Sequence, residues 1–497
     1  MARRAGRSDG AAPPQPYRVW TMAQQTGKKR KATPDHGPEN SGRREFFRAA
    51  AAPFFLLPRH VLGAGTTAPS DRIHVALIGA GGQGKVNARA LLQQPDVRIV
   101  AVADPNEQAD YNRFYYKGTA GRLPVLAMIR EDSQRRGIQM PCTGYVDFRE
   151  LLDKEKALDA VLVATPDHAH GVVTMAALLR NKHVYTEKPL CRTIQETRKV
   201  VEAARVAKVA TQMGNFGRSG EGMQLFCEWI RDGAIGPVRE VHAWAAPGLA
   251  YEWKQRPRET MPVPEGLNWD LWLGPARSRP YHNAYAPVTW RLWHDFGVGS
   301  LGDYACHHLD PAFQALRLGY PSTIEAASYG AGEETYPTAS LVYFDFPSRQ
   351  GMPPVRVTWY DGGLAPPSPP ELESLRRISR SGHGILFVGD KGKILGGGWA
   401  ESPRLIPEAA MQAYRRPPKT LPRFSGHHRN WLDCIKNGQK PCASFEEVGK
   451  MVEAILMGAI AERVNEKLYW NEEQMLFTNT GTANAFLKPD FREGWTV

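Results

Sequence analysis

The chain has 497 residues, of which 42% are hydrophobic and 23% charged, the balance of an ordinary globular enzyme with two or three domains. It lacks an apolar run of about 18 residues, so we expect no membrane-spanning helix. The net charge of +12 is concentrated in residues 1–48, which carry eleven basic and four acidic residues. Because the rest of the chain is nearly balanced, we expect no nucleic-acid partner.

Residues 1–66 have the pattern of a tail followed by an export signal. Residues 1–40 are rich in Pro, Gly, Gln and basic residues, which predicts disorder. Arg43 and Arg44 then precede a weakly hydrophobic run over 49–57, an order typical of a twin-arginine signal. The alternative is an amphipathic N-terminal helix with a chance arginine pair. We expect export by the twin-arginine machinery to the periplasm.

A glycine-rich turn follows the first strongly hydrophobic segment. Residues 72–78 have the composition of a buried parallel strand, and residues 85–92 that of a helix. The turn between them supplies glycines for a tight bend and for close approach of a pyrophosphate, and the helix N-terminus adds an anion site. The residues of this turn predicted to bind a dinucleotide are Gly79, Ala80, Gly81, Gln83 and Gly84.

Asp104 follows a second predicted strand, 97–103, about 20 residues after the last glycine. A carboxylate there accepts hydrogen bonds from the adenosine ribose hydroxyls and repels a 2′-phosphate. This favours NAD over NADP as the cofactor. The alternative is that Asp104 caps a helix beginning at Pro105.

Strands and helices alternate as far as residue 216, which predicts a doubly wound parallel sheet in a Rossmann domain over residues 67–216. A buried strand over 157–164 leads into Thr165, Pro166 and His168. Ligands of such sheets bind outside the carboxyl ends of the strands, so we expect these three residues to face the cofactor. His168 is also a candidate substrate contact, although a polar loop would explain it too. The spacing of His168 and His170 does not by itself make a metal site.

Beyond residue 217 apolar and polar residues alternate along the predicted strands, as in 323–329 and 339–346. Antiparallel sheets with one exposed face show this alternation. The fold class is therefore α/β, with a C-terminal α+β domain over residues 217–497 built on a large, mostly antiparallel open sheet. We expect homo-oligomers to form through this sheet.

A loop between the strands of the second domain is rich in tryptophan. Aromatic faces pack well against the C–H faces of sugars, so Trp272 and Trp290 are candidate substrate contacts. A role in the core or in a subunit contact is equally consistent with the sequence.

Lys188 lies at the carboxyl end of a predicted strand, 181–185, and a proline follows it. Proline restricts its neighbour, so the lysine would be held toward the ligand crevice; an ordinary surface turn is the alternative. Downstream, Asp303 and His307 are four residues apart and would share one face of a helix. An aspartate there would orient the imidazole of a general base. The alternatives are a helix cap and a buried, satisfied histidine.

The chain resembles the Gfo/Idh/MocA family of NAD(P)-dependent oxidoreductases, to which glucose–fructose oxidoreductase and inositol dehydrogenase belong, and in particular its exported branch. The resemblance covers residues 43–497. It depends on the glycine turn, Thr165-Pro166-Asp167-His168, Glu187-Lys188-Pro189 and Gly302-Asp303-x-x-x-His307-x-x-Asp310. It implies that Lys188, Asp303 and His307 line the nicotinamide, that Glu187 belongs to the cofactor site, and that the Lys188–Pro189 peptide is cis. His308 is a further candidate substrate contact.

The resemblance implies hydride transfer between a hydroxyl of a sugar, polyol or glycoside and a tightly bound NAD. His307 would take the hydroxyl proton, Asp303 would orient the imidazole, and Lys188 would stabilise the alkoxide. The first alternative is a glycosidase that oxidises its sugar transiently. The second is a non-catalytic nucleotide- or sugar-binding protein. No metal is expected, and six cysteines without Cys-x-x-Cys spacing are expected to be mostly free.

Overall fold

The computed structural model describes residues 71–138, 140–247, 253–379 and 381–497. The predicted tail and twin-arginine signal, residues 1–66, lie outside the described residues. Within these ranges all six cysteines are free, and no helix is both long and apolar enough to cross a membrane.

The first part of the chain folds into alternating strands and helices. The strands are β1 (Ile73–Ile78), β2 (Val97–Ala103), β3 (Ala109–Asp110), β4 (Thr119–Ala120), β5 (Thr143–Tyr145), β6 (Ala160–Val163), β7 (His183–Thr186) and β8 (Thr211–Met213). The helices are α1 (Gly82–Leu92), α2 (Arg122–Arg135), α3 (Phe148–Lys154), α4 (Asp167–Leu178) and α5 (Ile194–Ala207).

Six of these strands form one parallel sheet in the order β5-β2-β1-β6-β7-β8, which confirms the predicted doubly wound fold. Strands such as β6 are buried at every position because helices cover both faces of the sheet. From β1 the sheet extends through β2 to β5 on one side and through β6 to β8 on the other, so the strand order reverses at β1. The glycine turn follows β1, so it lies at the switch point where such sheets bind ligands.

The second part combines a large sheet with helices. Its strands are β9 (Val238–Trp244), β10 (Thr323–Tyr329), β11 (Ala339–Phe346), β12 (Val355–Tyr360), β13 (Gly384–Gly389), β14 (Gly392–Gly396), β15 (Arg404–Ile406), β16 (Leu468–Asn471) and β17 (Leu476–Phe477). Its helices are α6 (Glu221–Arg231), α7 (Trp269–Leu273), α8 (Cys306–His308), α9 (Asp310–Leu316), α10 (Glu408–Ala413), α11 (His427–Asn437), α12 (Phe445–Val464) and α13 (Gly481–Ala485).

The nine strands pair in the order β15-β14-β13-β9-β12-β11-β10-β16-β17. All neighbours are antiparallel except β9 and β12, so the prediction of a mostly antiparallel open sheet is confirmed. Along β11 buried residues alternate with half-buried ones, as the sequence pattern indicates.

Helix α12 joins the two parts into one hydrophobic core. It is 20 residues long and buried on most of its surface, because α5 packs on one side and β10 and β11 on the other. A π-helical turn, Leu301–Ala305, also packs against α12. The same core therefore supports strand β7 and the turn that carries Asp303.

Candidate active site

Lys188 lies just beyond the end of β7, at the carboxyl edge of the parallel sheet. Its peptide bond to Pro189 is cis, as expected. The ammonium donates a hydrogen bond of 2.6 Å to the backbone oxygen of Asp303 and a second, short one to the Asp303 carboxylate. Only 16% and 15% of the two side chains are exposed. The fold thus brings together two of the three residues predicted to carry the chemistry.

Arg291 is a second cationic partner of Asp303, and the sequence reasoning missed it. Its Nε lies 3.4 Å from the Asp303 carboxylate, and its guanidinium stacks on Trp290 at 4.2 Å. Burial would raise the pKa of Asp303, but Lys188 and Arg291 hold that pKa well below its usual range. Burial would lower the pKa of Lys188, but the Asp303 charge raises it. Both groups are therefore ionised at neutral pH.

His307 is buried beside this pair, with 6% of its surface exposed. Burial lowers the pKa of the imidazole well below its usual value, and the nearby Lys188 charge lowers it further. The ring lies against Phe216, with 5.0 Å between centroids, and its Nδ1 has no hydrogen-bond partner among the described residues. His307 is thus a neutral imidazole with an unused nitrogen and can accept a proton, although its lowered pKa makes it a weaker base than a free imidazole.

No hydrogen bond between the His307 ring and the Asp303 carboxylate forms within the described part of the chain. A spacing of four residues predicts a shared face on an α-helix, whereas Leu301–Ala305 is a π-helical turn. The Asp303 carboxylate faces Lys188 and Arg291 instead. Asp303 therefore positions the lysine rather than the histidine.

The glycine turn has the shape that a dinucleotide requires. A Cβ on Gly84 would overlap the carbonyl oxygen of Gly79, and one on Gly79 would lie 2.5 Å from the carbonyl carbon of Ala164. Gly79 also has a φ of +92°, which favours glycine. Helix α1 begins at Gly82 without a side-chain cap, as a phosphate site at a helix N-terminus requires. The turn therefore fits the pyrophosphate of NAD.

Asp104 ends β2 beside this turn. Its carboxylate accepts hydrogen bonds from the backbone N–H groups of Ala80, at 2.6 Å, and Asn106, at 2.8 Å. Burial raises the pKa of Asp104, and these hydrogen bonds oppose the rise. Each oxygen can accept a further hydrogen bond, so the group still fits the ribose hydroxyls. No helix begins at Pro105, so the alternative of a helix cap is wrong.

The hairpin formed by β3 and β4 places two tyrosines on the glycine turn. The Tyr111 hydroxyl lies 2.7 Å from where a Cβ on Gly81 would stand, and the ring of Tyr116 covers Gly82. The Tyr116 hydroxyl also lies 3.5 Å from a guanidinium nitrogen of Arg291. A dinucleotide lying against these glycines would therefore contact both tyrosines. The sequence offered no strand pattern here, so the hairpin was not predicted.

Glu187 and Gln83 contact each other rather than pointing into open space. The Glu187 carboxylate accepts hydrogen bonds from Gln83, at 3.2 Å, and from Asn87, at 2.8 Å. These bonds connect α1 to the end of β7 and so fix the glycine turn relative to Lys188.

Thr165 and Pro166 follow β6 and face the same turn. A Cβ on Gly79 would lie 2.6 Å from the Thr165 backbone nitrogen, and Pro166 precedes the first residue of α4. The Thr165 hydroxyl is buried and has no hydrogen-bond partner among the described residues. A buried hydroxyl without a partner beside the glycine turn is consistent with its predicted role at the cofactor.

His168 is held by the backbone instead of facing a ligand. Its ring nitrogens lie 3.0 Å from the carbonyl oxygen of Trp272 and 3.4 Å from that of Phe296. Burial lowers the pKa of His168 to about 4. Only 1% of the residue is exposed, so it connects α4 to the tryptophan-rich loop and does not fit the predicted role at cofactor or substrate.

The other candidate substrate contacts also lie inside the protein. His308 is fully buried, and its Nε2 lies 3.0 Å from a ring nitrogen of His383. Trp272 stacks on Trp269 at 4.7 Å within the core. Trp290 is 7% exposed and supports the Arg291 guanidinium. Of these three, only Trp290 is connected to the Lys188 site.

Asp167 lies within the Thr-Pro-Asp-His motif, but no role was predicted for it from the sequence. It is 4% exposed at the start of α4. Burial raises its pKa to about 7, although the charges of Arg291 and Lys188 oppose the rise. The site therefore holds a carboxyl group that changes charge near neutral pH. Among the described residues no cluster could hold a metal ion.

We predict that Asp167→Asn changes how stability depends on pH. The folded pKa of about 7 lies above the unfolded value, so this carboxyl stabilises the fold at low pH and loses that contribution as pH rises from about 4 to 7. As pH rises across that range, the wild type should therefore lose up to about 4 kcal/mol of unfolding free energy relative to Asp167→Asn.

The measurement is urea unfolding of both proteins at several pH values. Asp153→Asn, at an exposed carboxylate, serves as the control. A difference between wild type and Asp167→Asn that stays constant over this range would show that Asp167 keeps an ordinary pKa.

Two segments of the chain match models of one protein family. Residues 73–215 match the Gfo/Idh/MocA profile described as oxidoreductase family, NAD-binding Rossmann fold. Residues 230–325 match the profile of the C-terminal alpha/beta domain of the same family. Lys188 lies in the first segment, and Arg291, Asp303 and His307 lie in the second.

The names of two curated relatives indicate that they act on sugars or polyols. Levoglucosan dehydrogenase of Pseudarthrobacter phenanthrenivorans is 26% identical over 49% of this chain and 50% of its own. Inositol 2-dehydrogenase of Rubrobacter xylanophilus is 29% identical over 37% of this chain and 48% of its own. The chain thus spans about half the length of these relatives.

Solved structures share the fold over most of the chain. The WlbA dehydrogenase of Chromobacterium violaceum, in complex with NADH and UDP-GlcNAcA, has a TM-score of 0.55 at 16% identity and covers 82% of this chain and 98% of its own. Aldose-aldose oxidoreductase of Caulobacter crescentus has a TM-score of 0.51 at 17% identity, with 80% and 99% covered.

Proposed function

We propose that this member of the Gfo/Idh/MocA oxidoreductase family, which has an NAD-binding Rossmann domain, transfers hydride between NAD and a hydroxyl of a sugar, polyol or glycoside. One observation carries the proposal: a charged Lys188, held by Asp303, lies near a neutral, buried His307. Oxidation of an alcohol needs both, because the oxygen gains negative charge while its proton leaves.

Each residue then has a distinct role. Bound NAD supplies the hydride acceptor. Lys188 would donate a hydrogen bond to the substrate oxygen and stabilise the charge that develops there. His307 would accept the hydroxyl proton at a ring nitrogen. Asp303 holds the Lys188 ammonium in position and is itself held by Arg291, which takes the place of the predicted contact between Asp303 and His307.

The test uses the purified full chain, added NAD and a panel of sugars, sugar alcohols and glycosides. Absorbance of NADH is expected to appear with one class of compound and to require Lys188. Reduction of NADP in preference to NAD would contradict the assignment made from Asp104. A complete lack of reduction with every compound, despite NAD binding, would favour the non-catalytic alternative.

Asp167 favours one second candidate, a glycosidase that oxidises its sugar transiently. Elimination of an aglycone needs an acid or base that changes protonation near neutral pH, and the pKa of Asp167 is about 7. An aryl glycoside incubated with protein and NAD should release phenol continuously in this case. Net formation of NADH without phenol would leave the dehydrogenase as the activity.

For the N-terminal segment we propose export by the twin-arginine machinery to the periplasm, supported by Arg43 and Arg44 before the apolar run. Replacing both arginines with lysine in the native host should retain the protein in the cytoplasm. Continued recovery of the double variant from the periplasm would overturn this proposal.

We propose further that copies of the chain associate through the nine-stranded sheet. Most of strand β10 is exposed or half-buried, with only Ile324 buried, and Tyr329 at its end is 75% exposed. Light scattering should give a mass above that of one chain, and Tyr329→Asp should lower it. A monomeric wild type would contradict the proposal.

A further inference from the structure

Away from Lys188, a cavity of about 370 Å³ lies where the first turn of α5, the last turn of α12 and the segment after α13 meet. This volume is within the range of small-molecule sites. The charged side chains that line it are Arg192, Arg277, Arg463, Lys488, Asp295 and Asp490. We call it the arginine cavity.

The two carboxylates of the arginine cavity are already paired. Asp490 forms an ion pair with Arg277, and Asp295 forms one with Arg279, which lies outside the lining. These carboxylates form their direct ion pairs with Arg277 and Arg279, and the Asp295 charge also acts on Arg463 from a greater distance.

The remaining cations are Arg192, Arg463 and Lys488, and none of them forms an ion pair with a carboxylate in the part of the chain described. Arg192 donates one hydrogen bond to the His294 carbonyl oxygen, at 2.8 Å, but its Nε is buried without an acceptor. The Arg463 guanidinium stacks on Phe486 at 3.7 Å. Among the described residues, two guanidinium groups and an ammonium thus share one cavity without a carboxylate in direct ion-pair contact.

The positive charges of the cavity act on one another and on neighbouring groups. Burial lowers the pKa of Arg463 and Arg192 lowers it further, while Tyr336 and Asp295 oppose this change. Burial, together with both arginines, lowers the pKa of His294 to about 3, so that ring stays neutral. Burial raises the pKa of Glu196, which weakens its charge, although Arg192 opposes the rise and one Glu196 oxygen accepts a hydrogen bond from Thr193 at 2.7 Å.

The start of α5 adds to the positive potential. Thr193 caps this helix of 14 residues, and Thr193 and Ile194 line the cavity. The positive end of the helix dipole therefore faces the same space as the three cations. Three cations and a helix N-terminus suit a dianion better than a single carboxylate, and guanidinium groups bind phosphate oxygens in pairs.

We propose that the arginine cavity binds a phosphorylated small molecule of the size of a sugar phosphate, at a site separate from the glycine turn. Arg192 and Arg463 would hold the phosphate between them, and Lys488 would complete its charge balance.

The experiment is calorimetric titration of the full chain, with and without saturating NAD, with glucose 6-phosphate, inorganic phosphate and glucose. We expect glucose 6-phosphate and inorganic phosphate to give a heat of binding, and glucose to give no such heat.

Arg463→Gln should weaken binding about tenfold or more, because it removes a charge-assisted hydrogen bond. Lys488→Gln, at an exposed position that leaves the fold intact, should weaken it several-fold. Arg415→Gln, an exposed arginine outside the lining, is the matched control.

Two results would overturn the proposal. The first is equal affinity of wild type, Arg463→Gln and Lys488→Gln for glucose 6-phosphate, which would place the ligand elsewhere. The second is phosphate binding that NAD abolishes, which would place the phosphate at the glycine turn. If Arg463→Gln fails to fold, the Lys488→Gln titration decides.

Discussion

Lys188→Met is expected to lower turnover by about 10² or more while leaving NAD affinity nearly unchanged. The ammonium is held by the carboxylate and the backbone oxygen of Asp303, so it is fixed before substrate arrives and needs little rearrangement. Methionine preserves the length and apolar stem of the side chain but removes the charge. Turnover with the true substrate and NAD affinity by fluorescence titration are the two measurements.

Lys182→Met is the matched control for this experiment. Lys182 lies before the other end of the same strand and donates its hydrogen bond of 2.8 Å to the Leu158 carbonyl oxygen, away from Asp303. The control should keep wild-type turnover. Near-normal turnover of Lys188→Met would contradict the proposed role. A parallel loss of NAD affinity would show that Lys188 positions the cofactor instead of stabilising charge on the substrate.

His307→Ala distinguishes the proton acceptor from the charge stabiliser. Because the imidazole is neutral and has an unused nitrogen, its loss should also lower turnover by about 10² or more. At high pH hydroxide can take the proton, so His307→Ala should recover activity there while Lys188→Met should not. Full activity of His307→Ala at neutral pH would leave Asp167 as the next candidate.

The sequence predicted the two sheets well because their patterns are local. Buried parallel strands are short continuous apolar runs, and β1 and β2 match the predicted segments to within a residue. Strands with one exposed face alternate, and β10 and β11 have the predicted bounds. The parallel pairing of β9 with β12 depends on distant parts of the chain and left no local signal.

The candidate site could be predicted only in part, because side-chain partners depend on the tertiary fold. Lys188 and Asp303 lie together in the structure, but their contact joins residues 115 positions apart. The Asp303 carboxylate pairs with Lys188 and Arg291 from other parts of the chain, so its spacing from His307 did not give its partner. Arg291 lies in an irregular aromatic loop without periodicity, so its contact with Asp303 could not be read from spacing.

Gly84→Ala is expected to weaken NAD binding at least tenfold and to lower thermal stability. In an ordinary helix this substitution stabilises by up to about 1 kcal/mol, because alanine has the higher helix propensity. Here the added Cβ would overlap the Gly79 carbonyl oxygen, and Gly79 cannot retreat because its other side lies against the Ala164 backbone. The clash must distort the turn that holds the pyrophosphate, so Gly84→Ala should destabilise the protein instead of stabilising it.

Gly319→Ala, where a Cβ meets no atom within 4 Å, is the control and should change neither melting temperature nor NAD affinity. If Gly84→Ala instead raised the melting temperature and kept NAD affinity, the turn would have room for a side chain and the close packing of α1 on β1 would not be what selects glycine.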